Sequence, residues 1–318
     1  MFRGNVIEGM IRLSSFAQEY YNDNEMSSIV KVARECHELV QSFLSDTTNS
    51  PFLRIMSGDG DDGVVSSAIH QLIRCIHLLV SLNPSMTTRT FIVECVNKTP
   101  SLLPAYFRTL SLPEPKATFS CIASYSFITY LLHNVGKTWL CVEKDRSSVI
   151  TKSTTKGEQV LIHIIPKALT KNILTKAIQS SNLFLLSETL KLVIAVIKRA
   201  QNFLSSHQKL GLQNDMKGWL LRRLPDLQVV LSARSRYDPF IKERSSSNMS
   251  RNLLTMLFYE VLISYSSTFQ STITSIQFDW VKILPDSSDA FLSSPKSLQY
   301  RSLLTLNAVY DSYNVSSF

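Results

Sequence analysis

The glycine-rich segment 58–63 is the closest match to a ligand-binding motif in the chain. It reads Gly-Asp-Gly-Asp-Asp-Gly, the G-x-G-x-x-G spacing that holds a dinucleotide pyrophosphate on backbone amides at a helix N-terminus. Its three carboxylates would repel a pyrophosphate, so we interpret it as an acidic loop before a helix. A calcium loop starting at Asp59 needs Glu at its twelfth position, where His70 stands.

Histidine spacing gives no metal site. His37 and Glu38 begin the zinc motif H-E-x-x-H, but Gln41 occupies the position of the second histidine. His70 and His77 would lie about 10 Å apart along a helix, too far to share one ion. The chain also lacks a G-x-S-x-G elbow and an S-x-x-K box. We therefore predict no enzyme activity, no catalytic residue, no cofactor, no metal and no small-molecule substrate.

Positive charge is concentrated in one part of the chain. Residues 151–250 carry 16 basic and 6 acidic side chains, whereas the whole protein has a net charge of +8. Concentrated positive charge attracts polyanions, and a solvated helix face or a surface for an acidic protein is the alternative interpretation. The predicted contacts with RNA or an acidic partner are Lys191, Lys198, Arg199, Arg222, Arg223, Arg234 and Arg236.

Apolar residues recur at steps of three and four along most of the chain, which is the pattern of amphipathic helices. No alternating strand pattern of comparable length competes with them. The clearest stripe comprises Leu186, Leu190, Val193, Ile197, Ala200 and Leu204. Similar stripes cover residues 26–44, 64–82, 116–132, 171–178, 251–267 and 297–310.

Prolines and the 58–63 segment fall between these stripes, where they separate successive helices. Helices joined by short loops are typical of armadillo and HEAT units. We predict an all-α fold, an irregular armadillo/HEAT-like α-solenoid of antiparallel helix pairs, with a compact helical bundle as the alternative. Residues 1–318 would form one helical-repeat region, with possible sub-boundaries in loops at 143–158 and 244–250.

The five cysteines are spaced 20 or more residues apart among apolar neighbours, which predicts free thiols in an intracellular protein. The most apolar long stretch, 183–204, contains four charged residues. Because these charges would be costly inside a bilayer, we predict no membrane span.

Five segments, in this order and spacing, resemble the N-terminal helical region of the nucleolar pre-ribosomal-associated proteins of the Npa/Urb type. The similarity covers roughly residues 85–310. The segments are VNKTPSLLPAYF at 96–107, NILTKAIQ at 172–179, ETLKLVIAVIKRA at 188–200, RLPDLQVV at 223–230 and FDWVK at 278–282.

This resemblance implies a helical-repeat scaffold in the nucleus and nucleolus, without catalytic residues. It implies a role in assembly of the large ribosomal subunit and in processing of its precursor rRNA, with pre-ribosomal RNA and large-subunit assembly factors as partners. Family members are several times longer, so we expect this chain to be a fragment of a longer protein. Two alternatives remain: a generic armadillo/HEAT-like protein-binding adaptor in another intracellular compartment, and a helical enzyme whose site the sequence does not reveal.

Overall fold

The described part of the protein is helical. The computed structural model describes residues 35, 70, 73–77, 80, 86–136, 160–206, 213–237, 248–284, 291–292 and 294–315. No strand occurs within these ranges. The all-α prediction is therefore confirmed.

Ten α-helices and one 3₁₀ helix can be delimited within the described ranges. Residues 70, 73–77 and 80, inside the predicted 64–82 stripe, are also helical, while the 26–44 stripe lies outside the described residues except for the helical Glu35. The helices are α1 Met86–Lys98, α2 Leu102–Thr109, α3 Phe119–Asn134, α4 Lys171–Ile178, α5 Leu183–Ser206, α6 Gln213–Leu221, α7 Leu227–Tyr237, α8 Asn248–Thr268, α9 Gln270–Thr274, the 3₁₀ helix Trp280–Ile283 and α10 Lys296–Val315.

The chain divides into two compact units. The first comprises residues 1–110 and 134–150, and the second comprises residues 111–133 and 151–318. The chain leaves the first unit for the last time after residue 150, within the predicted loop at 143–158. This loop lies outside the described residues. Of the other predicted loop, at 244–250, residues 248–250 belong to α8, and residues 244–247 lie outside the described residues. The prediction of a single helical-repeat region stays a prediction.

In the first unit, α1 packs against α2. Pro104 lies in the first turn of α2, where a missing backbone N–H costs nothing because that group has no partner inside the helix. The Asn97 side chain accepts a hydrogen bond of 2.7 Å from the backbone N–H of Gly136. The buried residues of these two helices include Ile92, Val96, Leu102, Leu103 and Phe107.

In the second unit, short polar side chains cap the helix N-termini. Thr170 accepts a hydrogen bond from the N–H of Ile173 at the start of α4, and Asn182 accepts one from Leu185 at the start of α5. Asp279 does the same for the 3₁₀ helix. Each cap satisfies a backbone donor that the helix itself leaves without an acceptor.

Helix α5 lies at the centre of the second unit. All six residues of the predicted apolar stripe are buried, and so is every residue from Leu192 to Ile197. A helix that is buried around its circumference must have neighbours on several sides, and α5 packs against both α4 and α8. Helix α8 also contacts α7, α9 and α10, so α5 and α8 form the core of this unit.

Two pairs of contacts give the direction of α7 relative to its neighbours. At one end of α4 the Lys171 amine binds the Asp226 carboxylate at 2.6 Å, and at the other end Arg236 binds the carbonyl of Gln179. Helices α4 and α7 are therefore parallel. The Tyr265 hydroxyl of α8 binds the carbonyl of Pro225 at 2.7 Å, while Arg234 near the end of α7 lies over the ring of Tyr259. Helices α7 and α8 are therefore antiparallel.

The same reasoning applies to α5, α8 and α10. Lys198 pairs with Glu260, and Gln201 three residues later binds Ser267, so α5 and α8 run in the same direction. Glu260 also pairs with Arg301, and Ser312 donates a hydrogen bond to the carbonyl of Ser266. Helix α10 therefore runs parallel to α8.

Three of the five cysteines lie among the described residues, and none of these three, Cys75, Cys95 and Cys121, forms a disulfide. Cys36 and Cys141 lie outside these residues. Among the described helices, none is both long and apolar enough to cross a membrane.

Two buried tyrosines are expected to respond in opposite ways to loss of their hydroxyl groups. The Tyr265 hydroxyl binds the Pro225 carbonyl, so Tyr265→Phe should lower the free energy of unfolding by about 1 to 2 kcal/mol. The hydroxyl of Tyr125, which is fully buried, has no hydrogen-bond partner among the described residues. Tyr125→Phe should therefore leave stability unchanged or raise it by about 1 kcal/mol.

Urea unfolding of both variants alongside the wild type measures this difference. A Tyr125→Phe variant that loses as much stability as Tyr265→Phe would contradict the assignment of these two hydroxyl groups.

Candidate nucleic-acid interface

Lys191 and Lys198 lie on the polar side of α5, as the apolar pattern predicts. The Lys191 amine lies 2.7 Å from the Glu188 carboxylate, and the Lys198 amine lies 2.7 Å from the Glu260 carboxylate. Both lysine side chains are less than half exposed, at 41% and 47%. Their charges are therefore partly neutralised inside the protein, which weakens their attraction for a phosphate.

Arg199 points into the second unit. Its side chain is buried and donates hydrogen bonds to the carbonyl of His163 at 2.7 Å and to the carbonyl of Leu132 at 3.5 Å. Leu132 lies in the last turn of α3, where carbonyl groups lack partners inside the helix. Burial lowers the pKa of Arg199 to about 10, so the guanidinium group is still charged at neutral pH.

Arg234 has a similar internal position at the end of the 3₁₀ helix. The buried guanidinium donates to the carbonyl of Lys282 at 3.3 Å and to that of Ile283 at 3.0 Å. It also lies 5.6 Å from the ring centroid of Tyr259, within cation–π distance. Both Arg199 and Arg234 are therefore buried side chains that bind carbonyl groups within the second unit.

Arg236 is exposed, but it also binds carbonyl groups at a helix end. It donates to the carbonyls of Gln179 and Ile178 at the C-terminal end of α4, at 3.2 and 3.4 Å. The planar guanidinium presents several N–H donors in a fixed fork, and positive charge is favourable at a helix C-terminus. Three of the seven predicted residues, Arg199, Arg234 and Arg236, thus bind carbonyls at helix ends contributed by distant parts of the chain.

Arg222 and Arg223 lie in the turn between α6 and α7. Arg222 is exposed, and no described residue pairs with its guanidinium group. Arg223 donates a hydrogen bond of 3.2 Å to the carbonyl of Lys167, which lies in the turn before α4. Lys171, at the first position of α4, pairs with Asp226 immediately before α7.

We call Lys167, Lys171, Arg222 and Arg223 the basic edge. Sequence reasoning identified only the two arginines. The lysines belong to a turn about 55 residues earlier in the chain, and only the parallel arrangement of α4 and α7 brings the two turns together. The sequence contains no pattern that predicts this pairing. The four charged residues belong to two separate segments, so they have no regular spacing along one helix or within one loop.

The seven predicted residues therefore do not form one surface. Lys191 and Lys198 lie on α5 in ion pairs, three arginines bind helix ends, and Arg222 and Arg223 belong to the basic edge. The prediction that these residues contact RNA or an acidic partner stays a prediction.

No family model, no curated protein and no solved structure matches this chain.

Side chains that could hold a metal ion do not gather within the described ranges. No set of three His, Cys, Asp or Glu side chains in these ranges has the geometry of a metal site. The ring of His77 stacks on Tyr106 with centroids 4.9 Å apart, and its Nε2 lies 3.0 Å from the Thr109 hydroxyl. Burial lowers the pKa of His77, so this residue has an internal packing role in the first unit. The 58–63 motif and His37 lie outside the described residues.

Proposed function

We propose that the chain is a non-enzymatic helical scaffold, built as an irregular armadillo/HEAT-like solenoid, that acts in nucleolar assembly of the large ribosomal subunit. The proposal of a scaffold is supported by the relative directions of the helices in the second unit. Helices α4 and α7 are parallel, α5 and α8 are parallel, and α7 and α8 are antiparallel. It follows that α4 and α5 are antiparallel as well.

This arrangement supports two stacked repeats. In a solenoid of helix pairs, equivalent helices of neighbouring repeats run in the same direction and each repeat contacts only its neighbours. The pair α4 and α5 would be one repeat, the pair α7 and α8 the next, and α10, parallel to α8, would continue the inner layer. The irregular element is the 24-residue α5, which is longer than its partner α4 of 8 residues.

The ribosomal role is supported by the resemblance of the five segments to the Npa/Urb-type proteins. These segments include most of α4, the middle of α5 and the turn before α7, all of which belong to the two proposed repeats. Pre-ribosomal RNA and large-subunit assembly factors would be the partners, in processing of the precursor rRNA.

Localisation and sedimentation of the full-length protein test this role. We expect it in the nucleolus and in fractions with large-subunit precursors, and we expect its depletion to reduce those precursors while small-subunit precursors stay unchanged. A protein that neither enters the nucleolus nor sediments with large pre-ribosomal particles would refute the ribosomal role.

A second candidate is a protein-binding adaptor of the same architecture in another compartment. It is favoured by large side chains on the outer face of α10, where Tyr300, Leu303 and Tyr310 are 63%, 51% and 65% exposed. These positions follow helical steps of three and seven, and such a face is typical of a protein contact. Affinity capture that recovers proteins but no RNA would favour this candidate.

A further inference from the structure

The turns that precede α4 and α7 are held together by two contacts across the basic edge. Arg223 binds the Lys167 carbonyl at 3.2 Å, and Lys171 binds the Asp226 carboxylate at 2.6 Å. Because α4 and α7 are parallel and packed together, both turns lie at the same end of this helix pair. The four cationic side chains therefore emerge from one edge of the second unit.

The charges at this edge are unbalanced. Asp226 is the acidic residue that pairs with one of the four cations, and its side chain is 62% exposed. Lys167 and Arg222 are exposed, and neither side chain forms an ion pair or a hydrogen bond with another described residue. Lys171 and Arg223 are held in place by their protein contacts, while the donors of Lys167 and Arg222 have no partner among the described residues.

The shape and charge of the edge fit a chain of phosphates better than a single small anion. Packed helices lie about 8 to 10 Å apart, so charges from two neighbouring turns spread over a comparable width. Successive phosphates of a nucleic-acid strand are regularly spaced, and several can bind side by side on such an edge. Arginine also binds phosphate through two parallel hydrogen bonds, which a lysine cannot do.

We propose that Lys167, Lys171, Arg222 and Arg223 form a binding surface for the phosphate backbone of RNA. This inference rests on the proposed scaffold function and names the partner of its basic surface. Phosphate contacts carry no base information, so binding is independent of RNA sequence.

The test measures binding of the full chain to an RNA duplex and to a single-stranded RNA, each of arbitrary sequence, over a range of salt concentrations. The variant Lys167→Ala/Arg222→Ala removes the two side chains that have no described partner. Its dissociation constant should rise about tenfold, and the slope of log affinity against log salt should fall in magnitude by about 1.5 to 2, one phosphate contact for each lost charge.

The matched control is Lys282→Ala/Lys296→Ala, which removes the same charge from exposed positions on the 3₁₀ helix and at the start of α10. This variant should keep at least half of the wild-type affinity and most of the salt slope. If both double variants weaken RNA binding equally, the effect comes from net charge alone, and the proposed surface is wrong.

Asp226→Asn provides a test in the opposite direction. Asparagine is an equally good residue at a helix N-terminus, so α7 should be preserved, while Lys171 loses its ion-pair partner. The dissociation constant for RNA should fall about threefold as one more cation becomes available to a phosphate. Unchanged or weaker binding by this variant would count against the proposal.

An acidic polypeptide separates RNA from a protein partner. Poly-glutamate should compete poorly with RNA, and a Lys167→Ala/Arg222→Ala variant that loses poly-glutamate binding but keeps RNA binding would overturn the assignment to RNA. Whether RNA binds at the basic edge can be measured independently of the ribosomal role. RNA binding at this edge by a protein that never sediments with pre-ribosomal particles would refute the proposed function and leave the surface in place.

Discussion

Arg199→Ala is expected to lower the free energy of unfolding by about 3 kcal/mol. The buried guanidinium binds the carbonyls of His163 and Leu132, and hydrogen bonds from charged donors contribute about 1.5 to 3 kcal/mol each. Alanine leaves both carbonyls without this donor and opens a cavity next to α5. The loss is partly offset because the charged side chain is costly to bury, which is also why its pKa is lowered.

Thermal and urea unfolding measure this effect. For a domain of this size, about 3 kcal/mol corresponds to a fall in Tm of about 6 to 12 °C. Arg199→Lys keeps the charge but lacks the fork that reaches two carbonyls, so its loss of stability should be intermediate.

The neighbouring lysine is the matched control. Lys198 is 47% exposed and forms one ion pair with Glu260, so Lys198→Ala should cost only about 0 to 1 kcal/mol. If Arg199→Ala and Lys198→Ala are equally stable, the internal role of Arg199 is wrong, and its assignment to the surface would have to be reconsidered.

Alkaline pH is expected to destabilise the protein by about 3 kcal/mol between pH 10 and pH 11. Burial raises the pKa of Tyr106, Tyr125 and Tyr265 well above the ordinary value of 10, and the charges of Cys121 and Asp226 add to the effect at Tyr125 and Tyr265 respectively. In the unfolded chain these tyrosines lose their protons near pH 10, while in the folded protein they keep them. Deprotonation therefore favours the unfolded state, and stability that is complete below pH 10 is lost as the pH rises above it.

The size of this destabilisation follows from the number of tyrosine protons that the unfolded chain releases and the folded protein keeps. Each buried tyrosine contributes about 1 kcal/mol between pH 10 and pH 11, because half of the protons of the unfolded chain are already lost at pH 10. The slope approaches about 1.4 kcal/mol per pH unit only at higher pH. Tyr106 belongs to the first unit, and Tyr125 and Tyr265 belong to the second. If the two units unfold separately, the second should lose stability about twice as steeply as the first.

Urea unfolding followed by circular dichroism at pH 8, 10 and 11 measures this slope. In the Tyr265→Phe variant one titrating group is absent, so the loss of stability between pH 10 and pH 11 should be smaller by about 1 kcal/mol. Stability that is constant from pH 10 to pH 11 would contradict the assignment of these hydroxyl groups to the core.

Most of the helical structure could be predicted from the sequence because helix formation depends on neighbouring residues. The stripe at 171–178 has the same bounds as α4, and the stripe at 251–267 lies within α8. The apolar steps of α5 correctly predicted its buried residues, but they did not show that its central turns are buried on every side. No stripe predicted helices α1, α2, α6, α7 and α9, which are short, with 5 to 13 residues each.

The role of each arginine depended on contacts that no local pattern encodes. Arg199 and Arg222 are the same residue type in the same basic part of the chain, yet Arg199 binds a carbonyl 67 positions away while Arg222 faces solvent. A charged side chain is equally suitable for a phosphate and for the carbonyls at a helix end, because both offer partial or full negative charge.

The sequence by itself therefore determined that the chain forms helices, where most of the long ones lie and which part carries the excess positive charge. Only the tertiary structure decided which of these charges are internal and that Lys167 and Lys171 join Arg222 and Arg223 at one edge. The physical reason is that helix formation and net charge are sums over neighbouring residues. The partner of a guanidinium or an amine is chosen instead by the packing of helices that are far apart in the chain.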